Sequence, residues 1–318
     1  MSNFNNIFIF VSDALRYGYL PDDLIEESDS DIIRTLAPSH HSAKSFASIL
    51  SGLEVSNHSV NHFGDKLEQE HILEMFENSN LWDNEDSSIR YMLNLHDNPD
   101  LHEMDESFVW VERALETHIP YGTPGHDHES GETVQEDYFS NYTDQELKEN
   151  YREAVNTSFE HFKNHIEYLK EKDLYEDTLV ILTADHGDAL GERVFGRKRY
   201  GHNAPATKIV AEVPTVFYNY EIEADRMRSV DIIPTALGLL GKNWLMDTDG
   251  VDIRDELPDR GECPTAPYIF HLEWVWSKSK EKWMMDKRSL AKALIEDHVP
   301  EKIFNKVGLE KKSIDFSD

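Results

Sequence analysis

The sequence predicts an α/β fold with a mostly parallel central sheet, flanked by helices on both faces. Residues 7–11 and 179–182 are continuous apolar runs, which is typical of strands covered on both sides. Residues 144–172 carry apolar side chains at three-to-four spacing and form a long amphipathic helix just before the second run. Helix, short link and strand make the repeating unit of such a sheet. We therefore expect the functional site at the carboxyl ends of the strands.

Shorter patterns predict the remaining elements. Strands are expected at residues 89–93, 108–111 and 213–218, and helices from Ser42 to about residue 50 and from residue 229 to about 240. Residues 35–41 and the glycine-rich, basic residues 191–202 are expected to form loops. A strand at residues 268–272 and a helix ending near residue 294 predict a small C-terminal α+β appendage. The expected division is a main domain over residues 1–250 and a subdomain over residues 251–318.

The chain is strongly acidic, with 62 acidic against 31 basic residues and a formal net charge of -31 in 318 residues. Phosphate groups would be repelled by such a surface, which argues against a nucleic-acid partner. One interpretation is a surface adapted to high salt, where screening makes the self-repulsion tolerable. The alternative is an ordinary acidic cytoplasmic protein.

Cysteine content and apolar run lengths indicate the compartment. The single cysteine, Cys263, excludes an intrachain disulfide and a cysteine-based zinc cluster. The N-terminal residues lack the basic segment and cleavage site of a signal peptide, and no apolar run is long enough to span a bilayer. We expect a soluble, cytoplasmic protein without a membrane span.

Acidic residues follow both of the longest apolar runs. Asp13 comes after the first strand, and Asp185 and His186 come after the strand at residues 179–182. Residues at the ends of two parallel strands meet at one edge of the sheet, so these side chains predict a metal site. The alternatives are a helix N-cap for Asp13 and a capped turn for Asp185 and His186.

Six segments, in order, carry a resemblance to a known family. They are Asn6 to Arg16, Ala37 to Gly52, Asn57 to Val60, His118-Ile119-Pro120-Tyr121, Leu174 to Asp188, and Gly201-His202 with Val213-Pro214 and residues 229–235. The chain resembles sulfatase-like hydrolases of the alkaline phosphatase superfamily over most of residues 5–241. The resemblance implies that family's α/β fold and a sulfatase-like catalytic domain over residues 1–250.

The resemblance also implies the ligands and the nucleophile. Aligning residues 48–52 with the family's helix places Ser42 at the nucleophile and gives the metal ligands Asp13, Ser42, Asp185 and His186. The family's sulfatases carry Cys or Ser in a (Cys/Ser)-x-Pro-x-Arg motif that matures to formylglycine. Here Lys44 and Phe46 replace the proline and the arginine, so we expect an unmodified serine. The alternative for Ser42 is an ordinary N-cap serine.

The ligand set predicts a divalent cation. Two carboxylates, a hydroxyl and an imidazole suit Mn²⁺ or Zn²⁺ better than Ca²⁺, which prefers oxygen ligands. The family's sulfatases also have paired acids after the first strand, whereas Ala14 follows Asp13 here. This difference argues further against a sulfatase-type calcium site.

Three more residues are predicted to contact the substrate. His118 could donate to an ester oxygen, His202 could protonate the leaving group, and Lys198 could bind the anion. Their alternatives are a loop histidine packed on Tyr121, an exposed loop histidine and an exposed charge patch. His40 and His41 precede Ser42 and could contact substrate or be structural. Residues 126–129 could hold a second metal, although an exposed acidic loop is the better interpretation.

Three functions are compatible with these residues. The first is a metal-dependent hydrolase of sulfate or phosphate esters, or a phosphodiesterase or a phosphoglycerol- or phosphoethanolamine-type transferase that uses unmodified Ser42. Its substrate would be a small anionic ester, or one on a glycan or lipid head group. The second is a non-catalytic family member that binds an anion, as the changed motif suggests. The third, a metal-dependent mutase, is disfavoured by the sulfatase-like segments and the short chain.

Overall fold

The computed structural model describes residues 4–83, 88–95, 107–122, 137–194, 196–202, 206–242, 247–265 and 270–289. Its strands are β1 (Asn6–Ser12), β2 (Ile33–Leu36), β3 (Asn78–Trp82), β4 (Phe108–Ala114), β5 (Thr178–Thr183), β6 (Ala189–Val194), β7 (Arg197–Gly201), β8 (Glu212–Phe217), β9 (Arg226–Arg228), β10 (Arg260–Thr265), β11 (Phe270–Ser277) and β12 (Lys282–Met285). Its α-helices are α1 (Asp22–Glu27), α2 (Ser42–Ser51), α3 (Val55–His58), α4 (Ser88–Met92), α5 (Asp144–Glu171), α6 (Lys208–Ala211) and α7 (Ile232–Leu239).

The central sheet has seven strands in the order β3-β4-β1-β5-β8-β2-β9. Neighbouring strands are parallel except at β8, which runs antiparallel to both β5 and β2. The prediction of a mostly parallel α/β sheet is therefore confirmed. Because β1 and β5 are adjacent and parallel, the residues that follow them emerge at the same edge.

Helices cover both faces of β1. Ile7, Ile9 and Val11 pack into a core formed with α2 and α7. Phe8 and Phe10 point to the opposite face, into a core formed with α5. This two-sided burial explains why the strand is apolar at every position from 7 to 11. Each buried aromatic or aliphatic side chain stabilises the fold by about 1.5–3 kcal/mol.

Helix α5 has the start and the apolar face that its sequence predicts. Thr143 and Glu146 form a capping box, in which the Thr143 side chain accepts from the Glu146 backbone N–H and the Glu146 carboxylate accepts from the Thr143 N–H. Its buried side chains include Tyr151, Phe162 and Leu169, which face the sheet. This face sets the position of the helix over β1 and β4.

Three local predictions differ from the structure. Residues 89–93 lie mainly in α4 rather than in a strand, because Ile89 and Met92 are three positions apart and face the core together. The loop expected at residues 35–41 begins inside β2. The loop expected at residues 191–202 is largely the antiparallel hairpin of β6 and β7. Residues 126–129 lie outside the described residues.

The C-terminal region contains a second, antiparallel sheet in the order β10-β11-β12. Trp274 and Trp283 pack in one cluster with Leu36 of the central sheet and with Ala211 of α6. The helix expected to end near residue 294 lies largely outside the described residues, and the domain boundary at residue 250 stays a prediction. Among the described helices, none combines the length and the apolar character needed to cross a bilayer.

Candidate active site

Asp13 and Asp185 meet at the edge of the central sheet. Val11 of β1 is in register with Thr183 of β5, and each acid lies two residues further along its chain. The backbone N–H of Ala14 donates to Oδ1 of Asp185 at 3.0 Å, which ties the two strand ends together. Ala14 adopts a left-handed conformation with φ 65°, unusual for a residue other than glycine. The side chains of Asp13 and Asp185 are fully buried.

Ser42 reaches the same point as the first residue of α2. Its Oγ lies 3.4 Å from Oδ2 of Asp13 and 3.2 Å from Nε2 of His186. Ser39 fixes the turn before the helix, because its hydroxyl accepts from the His41 N–H and its carbonyl accepts from the Ser45 hydroxyl. The free N–H groups at the start of a ten-residue helix favour an anion beside Ser42.

The acids, His186 and Ser42 fit a divalent cation. Oδ1 of Asp13 and Oδ2 of Asp185 are buried and have no hydrogen-bond partner among the described residues. They lie 3.9 Å and 3.4 Å from Nε2 of His186. Burying two carboxylate oxygens unpaired is costly, and a cation between them would remove that cost. Without one, burial and the charge of Asp13 raise the pKa of Asp185 to about 7.

Gly187 allows the chain to turn sharply after the histidine. A Cβ at this position would lie 2.5 Å from the backbone oxygen of Ile209. The N–H of Gly187 donates to the carbonyl of Val210 at 2.9 Å, so the backbone after His186 is held against α6. The glycine in the Asp-His-Gly sequence is therefore required by the close approach of two backbones.

Arg113 binds Asp13 and was not singled out from the sequence. Its Nη2 lies 2.6 Å from Oδ2 of Asp13, and its Nη1 lies 3.2 Å from Oδ2 of Asp83. Burial acts to raise the pKa of Asp13. The charge of Arg113, together with the nearby His118, His186 and His202, holds that pKa well below its ordinary value. Arg113 is a charged residue near the end of β4, so the reasoning that found Asp13 and Asp185 could also have found it.

Arg113 also lies near Phe46, the residue that stands where the family's nucleophile motif has an arginine. Its guanidinium carbon is 5.8 Å from the ring centre of Phe46, the residue that replaces the motif's arginine. A cation is thus present close to Ser42, supplied by β4 rather than by α2.

His202 and His118 line the opposite side of the site. The ring of His202 lies 4.5 Å from that of His186 and 5.3 Å from that of His118, measured between centroids. Nδ1 of His202 donates to Oδ1 of Asp188 at 2.9 Å, and the Tyr121 hydroxyl donates to the other oxygen of Asp188 at 3.1 Å. Asp188 belongs to the strand-end sequence, but its pairing with His202 was not predicted.

The charges around the two rings differ. Burial lowers the pKa of His202, but the Asp188 carboxylate outweighs it, and the pKa is raised above its ordinary value. Burial lowers the pKa of His118 to about 4. His202 is therefore the residue more readily charged, which suits a proton donor, while His118 favours the neutral form.

Lys198 is not brought to this cluster. In the β6–β7 hairpin its Nζ donates to Oδ2 of Asp144 at 2.6 Å, and its side chain is 48% exposed. Asp144 is the first residue of α5, so the ammonium is held at a helix N-terminus rather than beside Ser42. The hairpin, in place of the expected loop, directs this side chain towards α5, and anion binding by Lys198 stays a prediction.

The two histidines before Ser42 have structural contacts. His40 is buried, and its Nδ1 contacts the backbone oxygen of His202. The ring of His41 packs against Phe63 with 4.8 Å between centroids. Both connect the start of α2 to its surroundings.

Comparison with known proteins decides the family. The family model described as Sulfatase matches residues 34–242, which is more than half of the chain. The chain belongs to the sulfatase family. Members of the wider superfamily are hydrolases or transferases that act on sulfate or phosphate esters with divalent metals.

Individual relatives are consistent with this assignment. The chain is 33% identical over 275 residues to the low-salt glycan biosynthesis sulfotransferase Agl7 of Haloferax volcanii, a match that covers 81% of this chain and 66% of the relative. The phosphonate monoester hydrolase of Agrobacterium radiobacter shares the fold, with a TM-score of 0.62, 13% identity and 85% coverage of both chains. The soluble domain of lipooligosaccharide phosphoethanolamine transferase A from Neisseria meningitidis has a TM-score of 0.55 and 15% identity, covering 75% of this chain and 88% of that one. This chain thus spans about two thirds of the sulfotransferase's length.

Proposed function

We propose that this chain cleaves a sulfate or phosphate ester by transferring the sulfuryl or phosphoryl group to Ser42. The observation that carries the proposal is the position of Ser42 Oγ, 3.2–3.4 Å from atoms of His186 and Asp13 at the start of α2. A hydroxyl so placed can be activated by the cation that its neighbours would hold. An ordinary N-cap serine would need none of these neighbours.

In the first step, Oγ of Ser42, which has already lost its hydroxyl proton to solvent, bonds to the sulfur or phosphorus atom while the bond to the ester oxygen breaks. His202, oriented by Asp188, gives a proton to the departing alcohol oxygen. The N–H groups at the start of α2 donate hydrogen bonds to the oxygens of the transferring group. Nδ1 of His118 donates to the Ile119 carbonyl at 2.8 Å, so the neutral ring presents only the lone pair of Nε2. Arg113 keeps Asp13 ionised throughout.

In the second step, water or an acceptor alcohol attacks the sulfur or phosphorus, and the Ser42 oxygen leaves as the alkoxide with which the first step began. His202, now neutral, accepts the proton of the attacking hydroxyl and returns to its starting state. Water as acceptor makes the chain a hydrolase, and an alcohol makes it a transferase. The residues described here serve both outcomes.

Asp13, Asp185, His186 and Ser42 would hold the proposed cation. When bound, it supplies Lewis-acid chemistry, lowering the pKa of the serine hydroxyl and neutralising charge on the ester oxygens. One imidazole among oxygen ligands favours Mn²⁺ or Zn²⁺ over Ca²⁺. Oδ1 of Asp13 and Oδ2 of Asp185, which are buried without a hydrogen-bond partner among the described residues, support this ligand set.

The preferred substrate is an anionic ester, free or on a glycan or lipid head group. An unmodified serine favours phosphate mono- or diesters, as in the superfamily's phosphoryl-transfer enzymes. The name of the Haloferax relative instead favours sulfate transfer within glycan synthesis. We keep sulfuryl transfer as the second candidate because that relative matches 81% of this chain.

The test is turnover of nitrophenyl sulfate, phosphate and phosphodiester substrates with added Mn²⁺, Zn²⁺ or Ca²⁺, at low and high salt. Ser42→Ala should abolish turnover while leaving the melting temperature near that of the unchanged chain. Ser51→Ala is the matched control, because Ser51 is the last residue of the same buried helix, where its hydroxyl donates to the Ala47 carbonyl and accepts from the Leu53 N–H. Normal turnover by Ser42→Ala would contradict the proposal. Anion binding without turnover of any substrate or acceptor would favour the non-catalytic alternative.

A further inference from the structure

A second group of metal-binding residue types lies on the other face of β4. Glu112 precedes Arg113, so its side chain points away from the active site and towards α5. His161 and His165 are one turn apart on α5 and face it together. Nε2 of His161 lies 2.8 Å from Oε1 of Glu112, and Nε2 of His165 lies 2.8 Å from Oε2. The three side chains thus converge through the atoms that bind metals.

The surroundings of this group are partly apolar. The carboxylate of Glu112 is 3% exposed, whereas the rings of His165 and His161 are 15% and 30% exposed. The ring of His161 stands edge-on to Phe10 at 5.5 Å, and that of His165 stands edge-on to Phe8 at 5.4 Å. The group therefore has a dry floor and one side open to solvent, which gives an ion a route of entry.

A second carboxylate supports one of the histidines. Nδ1 of His161 donates to Oε1 of Glu116 at 3.0 Å, which fixes the ring and leaves Nε2 directed at Glu112. A carboxylate on the far nitrogen is the usual partner of a metal-binding histidine. Nε2 of His165 and Oε2 of Glu116 are buried atoms without a hydrogen bond of acceptable geometry among the described residues. The contact of His165 with Oε2 of Glu112 at 2.8 Å is an ion-pair distance, and the same oxygen accepts from the Trp110 indole N–H at 3.3 Å.

We propose that Glu112, His161 and His165 form a second metal site, for a divalent transition metal such as Zn²⁺. Two imidazole nitrogens and one carboxylate are a common zinc ligand set, with the remaining position taken by water on the open side. The ligands come from β4 and from two successive turns of α5, so the ion joins the helix to the sheet. Its role is structural, because the sheet separates it from Ser42.

The competing state is a protonated network without metal. Burial lowers the pKa of His161, but the hydrogen bonds that its ring donates to the Glu112 and Glu116 carboxylates raise it to about 10. A metal entering the site must displace that proton, as metals do at other histidine sites. A direct measurement of bound metal therefore distinguishes the metal-bound site from the protonated, metal-free one.

The test uses Co²⁺, whose visible absorption reports histidine coordination, in the full chain carrying Asp185→Asn to remove the active-site ion. After chelation and reloading, this variant should retain about one equivalent of Co²⁺. Adding His165→Gln should release it, and adding Asn164→Gln, an exposed change on the same helix, should not. Equal Co²⁺ content with and without His165→Gln would overturn the proposal, as would no Co²⁺ in the Asp185→Asn chain.

A second measurement needs no substitution and covers the case in which His165→Gln fails to fold. Crystals of the unchanged chain soaked in Zn²⁺ should show an anomalous peak between Glu112, His161 and His165. The absence of a peak there at saturating Zn²⁺ would overturn the proposal. Because the readout is metal position rather than turnover, it is independent of any activity at Ser42.

Discussion

Arg113 and Asp13 form a buried ion pair in which Nη2 lies 2.6 Å from Oδ2. The other oxygen of the same carboxylate, Oδ1, has no hydrogen-bond partner among the described residues. One oxygen of Asp13 is thus bound to a fixed cation of the protein, and the other is open towards Asp185 and His186. The arginine orients the carboxylate and keeps it ionised, which a metal ligand at this point requires.

Replacing Arg113 should therefore harm stability as well as activity. Arg113→Met leaves Asp13 and Asp83 buried without their cation, and removal of one partner from a buried pair costs about 3–5 kcal/mol. Urea unfolding in the presence of chelator measures this cost. Arg254→Gln, which removes a partly exposed pair with Asp252, should cost less than about 1 kcal/mol. Equal losses of unfolding free energy for the two variants would show that the buried Arg113 pair contributes no more to stability than the partly exposed Arg254 pair.

His202 should matter most for esters with poor leaving groups. If it protonates the departing oxygen, His202→Gln should slow an alkyl or phenyl ester by about 10²–10⁴-fold and a nitrophenyl ester far less. Asp188→Asn should show the same pattern more weakly, because Asp188 orients and charges the ring. The measurement is kcat/KM across a series of leaving groups. A uniform loss across the series would assign His202 to binding instead.

Lys198 should be dispensable for turnover. Its ammonium is paired with Asp144 at the surface, so Lys198→Ala should leave kcat/KM close to that of the unchanged chain. The assay is that used for Ser42→Ala. A loss of a hundredfold or more, with KM raised, would mean that the hairpin moves and delivers the lysine to the substrate.

The Glu112–His161 pair should make metal-free stability depend on pH in a defined window. The pKa of His161 is raised from 6.5 to about 10, so its contribution is complete below 6.5 and is lost as pH rises through 10. The pKa of Glu112 is lowered from 4.5 to about 2, so its contribution is complete above 4.5 and is lost as pH falls through 2. The pair therefore stabilises most between about 4.5 and 6.5.

Urea unfolding with chelator, compared between the unchanged chain and His161→Gln, checks this window. The difference in unfolding free energy between the two should shrink as pH rises from 6.5 towards 10. Glu167→Gln, an exposed change on the same helix, should show no such trend. A difference that stays constant with pH would exclude the charged form of His161 as the source of stability.

The sequence predicted the residues whose positions follow from strand geometry. Asp13, Asp185 and His186 come directly after buried apolar runs, and parallel strands bring such positions to one edge. Ser42 could be placed at a helix start because the apolar spacing changes there. These inferences need only local patterns and the rule for parallel strands.

Pairings between distant side chains could not be predicted in the same way. Arg113 meets Asp13 across 100 residues of sequence, and Asp188 meets His202 through a hairpin that was expected to be a loop. The direction of Lys198 depended on that same hairpin. Such contacts are set by tertiary packing, which leaves no periodic signal in the chain.

The most direct test of the account is the covalent state of Ser42 during turnover. Rapid acid quenching with a substrate ester, followed by mass spectrometry of the Ser42 peptide, should show unmodified serine at rest and a sulfuryl or phosphoryl group on Ser42 in the quenched sample. Lys44 and Phe46 in place of the motif's proline and arginine predict the unmodified resting state. Formylglycine at position 42, or turnover with Ser42 never modified, would contradict the account.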